Sequence, residues 1–324
     1  MELKSTKLNN FFKPHLTFIF KMKLRKIFEI LFLIIILAII AYKVDLKESW
    51  VILQTINLNL FILALVIDII LLFFIALSLK VLFDTIIPTK MNEWLALYIP
   101  GFLSGLVLPA RAGDITTMLL AKKKGFEIGQ STTLILLDKL ITLLVFIPIT
   151  ILGIFTLMNS KELYYGIGFS LLLILGILTL YTPIGRKLFK KILGKHSEKF
   201  KGFSKTFREE LKYHKKALLI NLFLTALRPI LNGIIIIILL QALGFDLSLF
   251  NSIIISSITL IVTIVPLTPN GFGLREGIGT ILLYQVGIPY EVSIAMYMIF
   301  LVLNLCLVPI LGAYYFMIKD LHNS

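Results

Sequence analysis

The sequence predicts an all-α polytopic membrane protein, and three observations carry that prediction. Apolar residues make up 58% of its 324 positions, and mean hydropathy is +0.96, values typical of membrane chains and not of globular domains. The apolar residues gather into runs at 27–44, 58–83, 131–158, 163–181, 217–243 and 292–318, each near the ~20 residues that cross a bilayer. Two further apolar stretches are broken by proline, glycine and charge at membrane depth: LPARAGD, from Leu108 to Asp114, and PLTPNGFGLREG, from Pro266 to Gly277. The expected architecture is therefore six full spans plus two re-entrant helical hairpins of opposite orientation, arranged as an inverted repeat.

In chain order, residues 1–26 form a basic N-terminal segment with seven Lys/Arg and one acid. Its aromatic run, Phe11–Phe20, is too short to span and reads as interfacial or disordered. Met22 is an alternative start. The first span carries no small-residue cleavage site, so it reads as a retained anchor and not a signal peptide. Residues 27–318 form the transmembrane domain, and 319–324 a short tail. Pro183 to Lys216 holds twelve Lys/Arg against three acids, with Phe200, Phe203, Phe207 and Leu211 at helical spacing. That pattern predicts a basic amphipathic helix on the cytoplasmic leaflet. Lys122–Lys124 mark a second cytoplasmic loop, and the positive-inside rule places both termini in the cytoplasm of a multi-pass cell-membrane protein.

This orientation determines the breaks. With six spans satisfying the loop charges, the stretch of about 94–121 enters and leaves on the cytoplasmic side. The stretch of about 251–290 does so on the outer side. Each half is roughly 13 residues, about 20 Å of helix, enough to reach the midplane. Irregular backbone at that depth must face protein or water, and opposed broken helices meet at a binding site. Pairs of short, tilted full spans would have the same topology.

Ionisable residues converge on the same depth. Asp68 lies in span two, Asp138 and Lys139 in span three, and Arg228 in span five. With Arg111, Asp114, Arg275 and Glu276 they make four basic and four acidic groups. A charge at the bilayer centre costs about 2.5–3.5 kcal/mol on insertion scales, so these groups must face one another or water. Arg111 and Arg275 sit beside free amides and helix N-termini, which attract anions. Asn270, Gly271 and Gly273 let backbone amides approach a ligand. Asp68, Asp138, Lys139 and Arg228 are cavity-lining or coupling positions, with Thr142 and Asn232 extending the polar faces by one turn. The alternative for Asp68 and Arg228 is mutual neutralisation that only pins helix packing. Asn304 reads as a source of an interhelical hydrogen bond.

The two broken motifs, LPARAGD before an apolar helix and TPNGFGLREG before LVPILGAYYF, resemble the lysylphosphatidylglycerol synthetase transmembrane-region family of flippase-like membrane proteins. The resemblance covers about Arg25 to the end. It implies a lipid-translocating fold with two re-entrant helices and Arg111, Asp114, Arg275 and Glu276 at matching positions. Two departures stand out. Asp138-Lys139 and Thr142 replace the family's Glu-Arg and Asp, and Asn270-Gly271 replaces Gly-Gly. The family's aminoacyl-transferase domain does not follow the last span here, so that chemistry is not expected.

The sequence thus predicts a flippase or scramblase for an anionic phospholipid or polyprenyl-phosphate-type lipid, and not an enzyme. Arg111 and Arg275 would grip phosphate as bidentate forks. The alternatives are a secondary transporter of a soluble anion, or a non-transporting partner of a lipid-modifying enzyme or glycosyltransferase. The expected partners are membrane lipids, with room for a second copy or a membrane enzyme. No nucleic acid, cofactor or metal is expected: the four histidines lie in hydrophilic segments, and no GxxxxGK[ST] loop occurs.

Single cysteines at Lys123, Lys161, Lys201 and Asp246, in a Cys306→Ser background, test the orientation. Only those at Lys161 and Asp246 should react with an impermeant thiol reagent from outside. Labelling at Lys123 or Lys201 would overturn it.

Overall fold

The structure, a computed structural model, describes residues 54, 56–107, 112–157, 203–264, 271 and 273–323. The first and fourth expected spans, Arg111, Asn270 and most of the 183–216 loop lie outside them. All regular structure among the described residues is helical: α1 (Leu58–Phe83), α2 (Met91–Val107), α3 (Ala112–Lys123), α4 (Ile128–Leu157), α5 (Phe203–Tyr213), α6 (Lys215–Gln241), α7 (Leu249–Ile264), α8 (Leu274–Gln285) and α9 (Tyr290–Asn323).

Four of these helices are long and apolar enough to cross a membrane: α1, α4, α6 and the Tyr290–Ile318 part of α9. They correspond to the second, third, fifth and sixth expected spans. Their outer faces carry exposed apolar side chains, among them Ile62, Val66, Phe73, Leu144, Phe223 and Val302. A soluble bundle would bury that surface; a bilayer solvates it. The other helices divide at the two broken motifs. Alpha-helices α2 and α3 end and begin around 108–111, and α7 and α8 around 265–273. At 12 residues each, α3 and α8 are about 18 Å long, short of the ~30 Å hydrocarbon core.

Local sequence explains the ends. Asn57 caps α1, accepting from the amides of Asn59 (3.0 Å) and Leu60 (3.4 Å). The α1–α2 turn is closed by Lys80, which pairs with Asp84 and donates to the Thr89 carbonyl at 2.6 Å. Asp84 in turn accepts from the Thr89 amide and hydroxyl, both at 3.0 Å. Trp94 fills the space beneath, its Nε1 donating to the Ala76 carbonyl at 2.8 Å and its ring 4.9 Å from that of Phe83.

Helix α5 is the described part of the basic amphipathic segment. Lys205 and Arg208 are exposed, while Thr206 and Glu210 are buried and Phe207 packs on the core that holds Trp94. Its inner face thus meets protein. Glu210 accepts from Thr85 Oγ1 at 2.6 Å, and burial pushes its carboxyl up despite that bond.

The α2–α3 hairpin is packed through glycine. Gly101 and Gly105, one turn apart on α2, face Gly113 and Thr117 on α3, a small-residue contact that lets backbones approach without bulky side chains. A Cβ at Gly113 would lie 2.7 Å from the Gly101 carbonyl oxygen and 3.1 Å from Gly105 Cα. Both are backbone atoms, which cannot yield as a flexible side chain would.

Gly113→Ala should therefore lower stability by about 1–3 kcal/mol through overpacking, although alanine is the better helix former. Gly312→Ala, with nothing within 4 Å of the added carbon, should melt at or slightly above the wild-type temperature in the same detergent. Equal melting of the two variants would overturn the close hairpin contact.

Candidate functional site

A cavity of about 340 Å³ lies among α1, α2, α3, α4, α6 and α7. Its polar wall comprises Asp114 from α3, Asp138, Lys139 and Thr142 from α4, and Arg228 and Asn232 from α6. Its apolar wall includes Ile75, Leu79, Phe102, Phe146, Leu260 and Ile261. Residues in or beside both broken motifs reach it. Leu106 lies just before the first, Gly113 and Asp114 lie within it, and Thr263 lies just before the second. Gly271 of the second motif packs on Thr263, with a φ of +73° that glycine alone adopts at little cost.

The deepest polar element is the Asp138–Arg228 pair. Asp138 is 2% exposed and Arg228 6%. Asp138 Oδ1 accepts from Arg228 Nη2 at 3.1 Å and from Asn221 Nδ2 at 3.0 Å. Ser78 Oγ accepts from the same guanidinium and lies 3.4 Å from that carboxylate oxygen. Arg228 Nη1 donates to Thr142 Oγ1 at 3.2 Å, which donates to the Asp138 carbonyl at 2.7 Å. Three helices, α1, α4 and α6, are thereby joined through one ion pair. The pinning alternative for Arg228 describes this arrangement, while the same residue also lines the cavity.

Lys139 occupies the more open edge. Its Nζ lies 3.6 Å from Asp114 and 3.7 Å from Asp138, with its side chain 32% exposed. Among the described residues the cavity lining therefore carries two acids and two bases.

The remaining expected site residues form a second cluster. Arg275 bonds Glu276 Oε1 through Nη2 (2.9 Å) and Nε (3.2 Å), and its guanidinium sits 4.6 Å over the Phe300 ring. Glu276 Oε2 accepts from the Gly273 amide at 2.6 Å, capping α8, and Gly273 has a φ of +83°. Both Asp68 and Tyr297 lie within electrostatic reach of Arg275. Neither Arg275 nor Glu276 lines the cavity described above. Of the eight charged residues singled out, the structure thus gathers four around the cavity and three elsewhere. Arg111 lies outside the described residues.

Ser78 and Asn221 were not anticipated. On α6, Asn221, Thr225, Arg228 and Asn232 fall at i, i+4, i+7 and i+11, one helical face, and that stripe was legible. Ser78 had no comparable signal, being one hydroxyl in an apolar run. Asn304 donates to the Phe300 carbonyl of its own helix at 2.7 Å, not to a neighbouring helix as expected. Among the described residues no three His, Cys, Asp or Glu side chains are grouped to hold a metal.

The two ion pairs should respond differently to mutation. Asp138→Ala leaves a buried guanidinium uncompensated and should cost about 3–5 kcal/mol, most of it recovered in Asp138→Leu with Arg228→Met. Lys139→Gln breaks only a half-exposed pair and should cost under about 1 kcal/mol. Thermal and denaturant unfolding in detergent measure both; equal losses would contradict the assignment.

One family description matches the chain: lysylphosphatidylglycerol synthase TM region, over residues 26–312. Neither the curated proteins nor the solved structures contain a match. Because that match covers nearly the whole sequence, the chain belongs to the lysylphosphatidylglycerol synthase TM region family.

Proposed function

We propose that this protein is a flippase or scramblase that carries an anionic lipid headgroup between leaflets, acting as a carrier and not as an enzyme. One observation supports the reading above the others: a cavity with a paired polar wall facing an apolar wall, bounded by both broken hairpins. A phosphate headgroup cannot enter hydrocarbon bare, because desolvation without hydrogen bonds is prohibitive. A polar wall replaces its water, while the apolar wall suits the start of its tails.

In this reading α2–α3 and α7–α8 are re-entrant and enter from opposite faces, cytoplasmic and outer. The short lengths of α3 and α8 support that arrangement, as does the convergence of residues beside both breaks on one cavity. Lys139 is the cation that exchanges partners. Its two long contacts, to Asp114 and Asp138, are weaker than a close bidentate pair and can be traded for a phosphate. Arg111, three residues before Asp114 in sequence, is proposed to share the headgroup. Arg228 is held by Asp138, Ser78 and Thr142, and its role is to keep the wall in place.

Purified protein in vesicles, assayed for movement of fluorescent anionic lipid beside a zwitterionic control, tests the proposal. Anionic lipid should move faster than in protein-free vesicles, and Lys139→Gln should slow it about tenfold, equivalent to ~1.4 kcal/mol of barrier, with folding intact. No movement above the protein-free rate would overturn it. Uptake of a soluble anion in place of lipid would establish the secondary-transport reading.

A further inference from the structure

The second cluster does not balance its charge. Among the described residues Arg275 is its one cation, and it is claimed by Glu276 through two hydrogen bonds. Glu276 is itself saturated, with its other oxygen on the Gly273 amide. Asp68 is a second carboxylate within electrostatic reach of the same guanidinium. It is 7% exposed, and its Oδ2 has no hydrogen-bond partner among the described residues. Tyr297, 4% exposed, likewise has a hydroxyl without a partner among the described residues and lies within electrostatic reach of Arg275 and Glu276.

Among the described residues the surroundings offer no other cation. Ala64 and Leu71, which flank Asp68 on the same face of α1, belong to a core with Ile235, Leu239 and Leu303. Helix α6 beyond Arg228 and α4 beyond Lys139 carry no charged residue. Asp138, Lys139 and Arg228 gather at the level of Ser78, ten residues or about 15 Å along α1. The other charged or histidine groups on the helices packed against α1 or α8 are Lys215 and Lys216 at the start of α6, Glu93 on α2, and Glu291 near the start and Lys319, Asp320 and His322 near the end of α9. Among the described residues, two acids and one base in apolar surroundings leave one negative charge without compensation, a state so costly that such a group neutralises instead.

We propose that Asp68 is a proton-binding site: the described arrangement holds it as the neutral acid, and release of that proton charges the cluster. The proposal goes beyond lipid movement and does not require it. A proton fits better than a metal ion, because the unpartnered acceptors among the described residues number two and a guanidinium lies within electrostatic reach of both, where a metal cation would be repelled.

Infrared spectroscopy of the purified protein reads the proton directly. At neutral pH the wild type should show a protonated-carboxyl C=O band that is lost in Asp68→Asn and kept in Asp114→Asn. Glu276→Gln frees Arg275 to pair with Asp68, so the band should disappear there too, which keeps the proposal testable if Asp68→Asn does not fold. The folded protein would bind one proton more than the unfolded chain, so wild-type stability should fall as pH rises. Asp68→Asn should lack that one-proton slope. A band unchanged in both Asp68→Asn and Glu276→Gln would overturn the assignment. So would an Asp68-dependent stabilisation by sodium at fixed pH, since a metal ion would then fill the deficit.

Discussion

The fold depends on one buried ion pair. Asp138 and Arg228 meet at 3.1 Å, in surroundings where neither could stay charged alone. Ser78, Thr142 and Asn221 add hydrogen bonds to the two partners, although Arg228 Nε has no partner among the described residues, so the pair draws α1, α4 and α6 together. In a bilayer the hydrophobic effect does not drive helices together, and packing and polar contacts must do so. A charge pair whose separation leaves each partner in hydrocarbon is a strong form of such a contact. It also fixes the rotation of each helix, since only one face of each carries the bonding group.

That fixed frame creates the cavity. Glycines at 101, 105 and 113 bring α2 and α3 into backbone contact, which keeps this hairpin narrow. Gly153 and Gly233 allow α7 to press against α4 and α6 in the same way. Close packing along these seams leaves the unfilled space between them, beside Asp114 and Lys139. The polar groups there are paired yet partly open, a combination suited to exchanging partners. The Asp138–Arg228 pair behind them is too enclosed for that.

Along α1 the two polar clusters differ in charge balance. The cluster at Ser78 has equal acids and bases. Among the described residues the cluster at Asp68 has an excess acid, because Arg275 is committed to its chain neighbour. The first is balanced among the described residues, and the second is where the proposed proton binds. One helix therefore carries two sites of different chemistry, separated by about three turns.

Much of the fold was legible because hydropathy and helix breaking are local properties. Runs of about 20 apolar residues specify spans whatever their neighbours, and Pro266, Pro269 and the glycines around them stop a helix wherever it packs. The boundaries of α1, α4, α6 and α9 follow from that, as does the separation of α2 from α3 and of α7 from α8. Asp68, Asp114, Asp138, Lys139, Arg228, Arg275 and Glu276 were legible as a group, since charge in an apolar run is conspicuous. Their partners were not. Arg228 pairs with an acid ninety positions away, whereas Arg275 pairs with the next residue, and nothing in local spacing separates these outcomes. A side chain's partner is set by which helix faces which, and only tertiary packing decides that.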